Sequence, residues 1–269
     1  MEKSISNIEE INYYLKKLFP ICRSLTGEGN RKTFIILKEI LPKLEIKSIL
    51  SGEKVFDWEV PPEWSVKEAY LKNKYGKKII DFSKNNLHLV NYSEPYKGIC
   101  TMDELIPHLH SLPLRPEWIP YRTAYYSKDW GFCVEDYLLE SKDFIGPFEV
   151  FIDTKFDKQG KLEYAEAVKK GESKKEILIS TYCCHPSLAN DNLSGFLTAI
   201  LLFRYISQFE NHYTYRLLVA PETIGTICFL AQNNVDNIIG GTVITTTAGP
   251  GQISFKEAFD KNSWINKIT

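Results

Sequence analysis

Residues 183–195, Cys-Cys-His-Pro-Ser-Leu-Ala-Asn-Asp-Asn-Leu-Ser-Gly, leave one apolar run and lead into another. Two side chains in this stretch, His185 and Asp191, are competent to hold a metal. Neutral imidazole and carboxylate are the N and O donors that zinc takes at about 2.0–2.2 Å. A third candidate, Glu222, stands in Ala-Pro-Glu-Thr-Ile-Gly after the apolar run 213–220. A carboxylate shared by two ions lets a metal pair hold one water and lower its pKa. A Glu beside that water can take its proton and pass it to a leaving amine. On this chemistry His185 and Asp191 are candidate metal ligands and Glu222 a candidate general base for amide hydrolysis. No residue is assigned to substrate binding.

These side chains need elements to hold them. Residues 177–183 read as a strand, 193–209 as a helix, 213–220 as a strand, 224–232 as a helix and 238–246 as a strand. Continuous apolar strands alternating with helices predict an α/β fold, a mostly parallel sheet with helices on both faces. Ligands in such sheets sit beyond the carboxyl ends of the strands, which is where His185, Asp191 and Glu222 fall. Taken singly, each has a plainer role. A His after a strand more often packs, an Asp before a helix more often caps it, and Glu222 suits a helix dipole. Their joint placement leaves the metal site and the plain loop both open. Asn190 and Asn192 suit orienting the loop, and Gly195 a close approach of the following helix.

Upstream, Ile8, Ile11, Leu15, Leu18 and Phe19 predict an amphipathic helix over 7–19, ended by Pro20. A second helix is expected over 30–41, capped by Asn30 and closed by Pro42. Residues 43–146 alternate strand-like pieces such as 54–60 and 78–82 with turn signals, and contain one helical piece, 102–110. They hold Trp58, Trp64, Trp118 and Trp130, expected to fill a small β core. The segments around 147–153 and 162–168 flank Asp157-Lys-Gln-Gly and predict a hairpin. The resulting organisation is 1–42 as N-terminal helices of the α/β domain, 43–146 as an inserted β-rich module, and 147–269 as the α/β domain itself.

Composition narrows the function classes. A net charge of −1 gives no electrostatic reason to expect nucleic acid or an acidic membrane surface as partner. The apolar runs are far shorter than the roughly 20 residues that span a bilayer, and the first residues do not pattern as a signal peptide. The six Cys form no C-x-x-C pair, so a cytoplasmic chain with reduced thiols is expected. Self-association is left open. Among lesser candidates, 26–31 lacks the ending of a phosphate loop, and is expected to place Arg23, Glu28 and Arg31 at the rim of the site or simply to join two helices. His108 and His110, two apart on an expected helix, face different ways. Cys184 is discounted as a nucleophile because neighbours on a strand point to opposite faces.

The segment 189–195, Ala-Asn-Asp-Asn-Leu-Ser-Gly, resembles the Gly-Ala-x-Asp-Asn-x-Ser-Gly signature of the co-catalytic zinc aminopeptidases, and Pro221-Glu-Thr-Ile-Gly is similar to their Glu-Glu-x-Gly motif. The resemblance implies that Asp191 bridges zinc ions, up to two in number, and that Glu222 is the base. The chain also resembles a narrower bacterial family with an aminopeptidase-like domain and an inserted β-rich module, associated with polysaccharide biosynthesis. Arg23-Ser-Leu-Thr-Gly-Glu-Gly-Asn-Arg, Val55-Phe-Asp-Trp-Glu-Val-Pro-Pro-Glu-Trp, His108-Leu-His-Ser-Leu-Pro, Trp130-Gly-Phe-Cys and Cys184-His-Pro-Ser-Leu-Ala-Asn-Asp-Asn carry that likeness.

The chain also departs from the aminopeptidase pattern. Thr223 stands where that pattern has a second, metal-binding Glu; 245–251 offers no carboxylate where it has an Asp; and no His follows His212. The resemblance therefore implies a chain truncated at its C-terminal side, with a short ligand set. The implied function is a zinc-dependent, aminopeptidase-like hydrolase acting on a peptide or an amide-bearing small molecule, impaired to the extent that ligands are missing. The alternatives are a non-catalytic binding or assembly module for surface-polysaccharide biosynthesis, and an amidohydrolase of an aminosugar.

Overall fold

A computed structural model describes residues 7–267. The chain opens with α1 (Ile8–Leu18) and α2 (Glu28–Ile40), then β1 (Glu45–Leu50). A tight pair, β2 (Lys54–Val55) and β3 (Trp58–Glu59), precedes β4 (Glu63–Lys72), β5 (Lys78–Asp81) and β6 (Tyr96–Cys100). A short helix α3 (Met102–Leu105) leads to β7 (Leu109–His110), β8 (Phe132–Cys133) and a second short helix α4 (Asp136–Leu139). The rest is β9 (Phe148–Asp157), β10 (Lys161–Lys169), β11 (Glu176–Tyr182), α5 (Gly195–Ile206), β12 (Thr214–Ala220), α6 (Ile224–Gln232) and β13 (Ile238–Val243).

Five strands form the main sheet in the order β1-β10-β12-β11-β13. β11 pairs in parallel with β12 and β13, while β10 runs antiparallel to both its neighbours. Four of the five strands therefore share one direction, and their carboxyl ends share one edge. Alternation along β12 loads both faces. Leu217 and Val219 join α1, α2 and α5 in one core, and Leu218 and Ala220 join α6 in another. The fold is α/β with helices on both faces of this sheet, as expected.

A second sheet, β5-β4-β9-β6, is antiparallel throughout. It has its own core around Trp64, Leu71, Phe148 and Val150. Strands from both sides of residue 147 build it. The expected 147–168 hairpin does not form: β9 pairs with β4 and β6, whereas β10 pairs with β1 and β12. The turn at Asp157–Gly160 is present, but the chain passes there from one sheet to the other. Each strand pairs with strands distant in sequence instead of with its neighbour.

Other local expectations need correction. Residues 54–60 make a tight turn between two-residue strands rather than one strand. Trp64 is 3% exposed in the core, but Trp118 is 56% exposed and fills nothing. His108 ends a 3-10 turn and stacks on Trp130 with ring centroids 3.9 Å apart, and His110 lies in β7. Asn30 is not the cap of α2. Gly27 takes that place with φ +100°, a conformation that side-chain-bearing residues avoid, and a Cβ there would lie 2.5 Å from the Trp64 carbonyl. Asn30 is buried inside the helix and donates to the Ser24 carbonyl at 2.7 Å.

Candidate metal and catalytic site

His185 lies three residues past β11, Asp191 in the turn Ala189–Ser194 before α5, and Glu222 two residues past β12. The structure brings all three together. Nδ1 of His185 is 3.3 Å from Oδ1 of Asp191, and Nε2 is 3.4 Å from Oε2 of Glu222. The imidazole is 11% exposed, whereas the two carboxylates are about half exposed. The site is thus open on its carboxylate side and closed behind the ring. Nδ1 is buried and makes no aligned hydrogen bond.

The turn that presents Asp191 is tied to the end of β11 and to the segment after β13. Asn192 donates to Thr181 Oγ1 and the Tyr182 carbonyl, and its Oδ1 accepts from the Thr246 amide. Asn190 Oδ1 accepts from the Ala248 amide. Backbone angles at Asp191 and Asn192 leave the helical region, and the peptide between them is cis. Gly195 permits the close approach expected of it, since a Cβ there would sit 2.0 Å from Asn192 Oδ1.

Several residues that sequence patterns did not single out complete the site. Tyr182, the last residue of β11, donates to Asp191 Oδ1 at 2.7 Å and accepts from Thr245 Oγ1 at 2.8 Å. The Asp191 carboxyl is held below its ordinary range, first by His185 and then by this phenol, with burial opposing both. Tyr121, from the irregular stretch between β7 and β8, sets its ring 4.7 Å from that of His185. Burial raises its phenol, and the nearby Cys184, Glu222 and Asp191 raise it further. Arg23 is not at a rim. It is fully buried and donates to the His185 and Leu18 carbonyls. Arg31 and Glu28 pair with each other, and Arg31 also binds Glu63 and Glu163, joining α2 to β4 and β10.

Cys184 corrects an expectation. Strand alternation fails to separate it from His185 because β11 already ends at Tyr182. Its sulfur, an imidazole nitrogen of His185 and a carboxylate oxygen of Glu222 all lie within 4.8 Å of one another. The thiol accepts from the Glu222 amide at 3.3 Å. Burial pushes it up to about 12, so the free thiol is protonated near neutrality and is no nucleophile. The N, O and S donors assembled here fit zinc, and the buried Nδ1 on the other edge of the ring faces the Asp191 carboxylate without an aligned hydrogen bond. Thr223, where the aminopeptidase pattern has its second Glu, has φ +60° at the start of α6.

The chain is 43% identical over 265 residues to a Clostridium acetobutylicum protein whose name describes a candidate polysaccharide biosynthesis protein with an aminopeptidase-like domain. The match covers 96% of this chain and 59% of that relative. A crystal structure of a candidate peptidase from Clostridium acetobutylicum superposes with a TM-score of 0.86 at 44% identity, over 90% of this chain and 57% of that one. The chain therefore spans less than two thirds of the length of these relatives. A zinc aminopeptidase from Bacillus subtilis shares the fold at a TM-score of 0.53 and 9% identity, over 87% of this chain and 68% of that one. Residues 13–269 match DUF4910, a domain of unknown function, and the chain belongs to that family, whose aminopeptidase-like fold it has.

Proposed function

We propose that this chain carries the metal-binding and general-base half of an aminopeptidase-like, zinc-dependent hydrolase of amide bonds. The supporting observation is the imidazole of His185 set between two carboxylates, 3.3 Å and 3.4 Å away, at the shared carboxyl edge of parallel strands. His185 and Asp191 are the residues that would hold zinc, as one ion or two. Bound zinc would supply Lewis-acid polarisation of a carbonyl and lower the pKa of water to near neutrality. Tyr182 and Thr245 fix the Asp191 carboxylate, and Arg23 fixes the backbone of His185. Glu222 has its carboxylate half exposed and takes up a proton at that carboxylate, returning it to the departing amine. The substrate class is a peptide or amide-bearing small molecule, and the setting is the cytoplasm. No helix among the described residues is long and apolar enough to cross a membrane.

The test loads the purified chain with zinc, measures bound metal, and assays aminoacyl amides and N-acyl sugar amides. Stoichiometric zinc with turnover that Glu222→Gln abolishes supports the reading. Zinc without turnover on either class removes the hydrolase, and absence of zinc removes the metal centre.

A second reading rests on Thr223 and on the carboxylate-free segment 245–251. It makes the chain a non-catalytic binding or assembly module of surface-polysaccharide biosynthesis, the process in the relative's name. Lack of metal uptake, with retention of the fold, favours this reading.

A further inference from the structure

Cys184 is a fully buried side chain that the hydrolase reading leaves without a role, although its sulfur lies in the one cluster of potential metal donors found among the described residues. We propose that Cys184 is a direct sulfur ligand to the ion held by His185, so that imidazole and thiolate bind zinc together while the Glu222 carboxylate beside them stays free as the base. The inference rests on the metal-site part of the hydrolase reading but not on turnover.

Three observations carry it. First, the spacing suits a single ion. The Cys184 sulfur, a His185 nitrogen and a Glu222 oxygen lie within 4.8 Å of one another, so a modest side-chain adjustment brings the sulfur to about 2.3 Å and the nitrogen to about 2.0–2.1 Å of one centre, with the Glu222 oxygen next to it. Second, the sulfur accepts the Glu222 backbone amide at 3.3 Å. A fixed N–H donor of this kind offsets negative charge on sulfur and orients it, as partners behind metal ligands do. The same residue thus sends its amide to the sulfur and its carboxylate to within 3.4 Å of His185 Nε2. Third, the sulfur sits on the closed side of the site. Cys184 is buried and the imidazole 11% exposed, whereas the Asp191 and Glu222 carboxylates are about half exposed, so a thiolate supplies negative charge where solvent does not reach the ion.

A thiolate donor also changes which ion is preferred. Soft sulfur favours zinc over magnesium, calcium or manganese, which prefer oxygen. It also supplies one of the donors that the aminopeptidase pattern would take from Thr223 or from 245–251, neither of which provides a carboxylate. Coordination replaces the S–H proton by the metal, and the proton leaves to solvent. No redox partner is required.

The probe is Co(II) alone, titrated into the reduced full chain and followed by absorption. The expected result is d–d bands together with a sulfur-to-cobalt charge-transfer band. The charge-transfer band is lost in Cys184→Ser and kept in Cys183→Ser. X-ray absorption fine structure of the zinc-loaded wild type gives the answer without a variant: one sulfur at about 2.3 Å beside N/O scatterers. Cobalt bound with d–d bands but no sulfur band, or a band that survives Cys184→Ser, overturns the thiolate assignment and leaves the metal centre standing. If no cobalt or zinc binds at all, both fall. An all-N/O shell in the fine structure overturns the assignment even if the serine variant does not fold.

Discussion

The Nε of Arg23 donates to the backbone carbonyl of His185 at 3.0 Å, across 162 residues of sequence. Its Nη1 donates to the Leu18 carbonyl at 2.7 Å, so one side chain links the end of α1 to the loop that carries the candidate ligand. The guanidinium is fully buried, and burial lowers it to about 10. Arg23→Ala should destabilise the chain by at least about 3 kcal/mol, since two buried carbonyls lose their donor and a cavity opens. Arg23→Lys keeps a charge but not the planar fork, and should recover only part of the loss. Urea unfolding measures both, and a wild-type midpoint for Arg23→Ala would show that the two hydrogen bonds contribute nothing net.

Tyr182 should matter to metal more than to folding. Its hydroxyl bonds Asp191 and Thr245 at the edge of the site. Tyr182→Phe should cost about 1 kcal/mol of stability and about tenfold or more in zinc affinity, the range seen for groups that orient metal ligands. Competition with a chelator reports the affinity. An unchanged zinc affinity would mean that Asp191 needs no support from its neighbour.

The turn before α5 leaves no room at Gly195. An added methyl would meet Asn192 Oδ1 at 2.0 Å and Thr245 Cα at 2.8 Å. Gly195→Ala should therefore destabilise by about 2 kcal/mol and loosen the Asn192 contacts to Thr181, Tyr182 and Thr246. Thermal unfolding tests the first part. Faster amide exchange at Thr246 tests the second, since that amide donates to Asn192 Oδ1.

A pH effect is expected away from the site. Burial alone would raise the Glu63 carboxyl, but the hydrogen bond from Arg31 and the amide of Lys161 outweigh it and hold the group below its ordinary value. A carboxyl depressed on folding contributes stability that is present above its unfolded pKa, near 4.3, and lost as pH falls through the lower folded value. The stability gap between wild type and Glu63→Gln should therefore be open at pH 6 and narrow progressively below about pH 4. A gap independent of pH would assign the effect to shape rather than charge. At neutral pH Arg31→Ala, which takes the guanidinium from Glu63 and leaves Glu163, 5% exposed, with Lys161 alone, should cost about 2 kcal/mol.

Sequence patterns carried the architecture well where periodicity was strong. The strand–helix alternation from residue 176 onward matches β11, α5, β12, α6 and β13. His185, Asp191 and Glu222 could be named because strand ends in such sheets converge, and the structure places them within contact distance. What escaped was set by long-range geometry. Tyr121 comes from a stretch without periodicity, so nothing local points it toward a ring 64 positions later. Cys184 is no nucleophile, as expected, but for a different reason: β11 ends at Tyr182, so strand alternation does not part it from His185, and burial keeps the thiol protonated. The turn at 157–160 and its two alternating flanks pattern as a hairpin, yet each strand pairs elsewhere, a competition between partners that local pattern does not show.

The link from Arg23 to His185 has a further consequence through Asn91. Its side chain accepts from Ser24 and donates to the Arg23 carbonyl, while its backbone bonds Arg122 and Ala124 on either side of Thr123. The tether holds Tyr121 at one end and the bed of the His185 loop at the other. A change within residues 111–131 is therefore felt at the His185 ring through Tyr121, although no strand of the main sheet lies in that stretch.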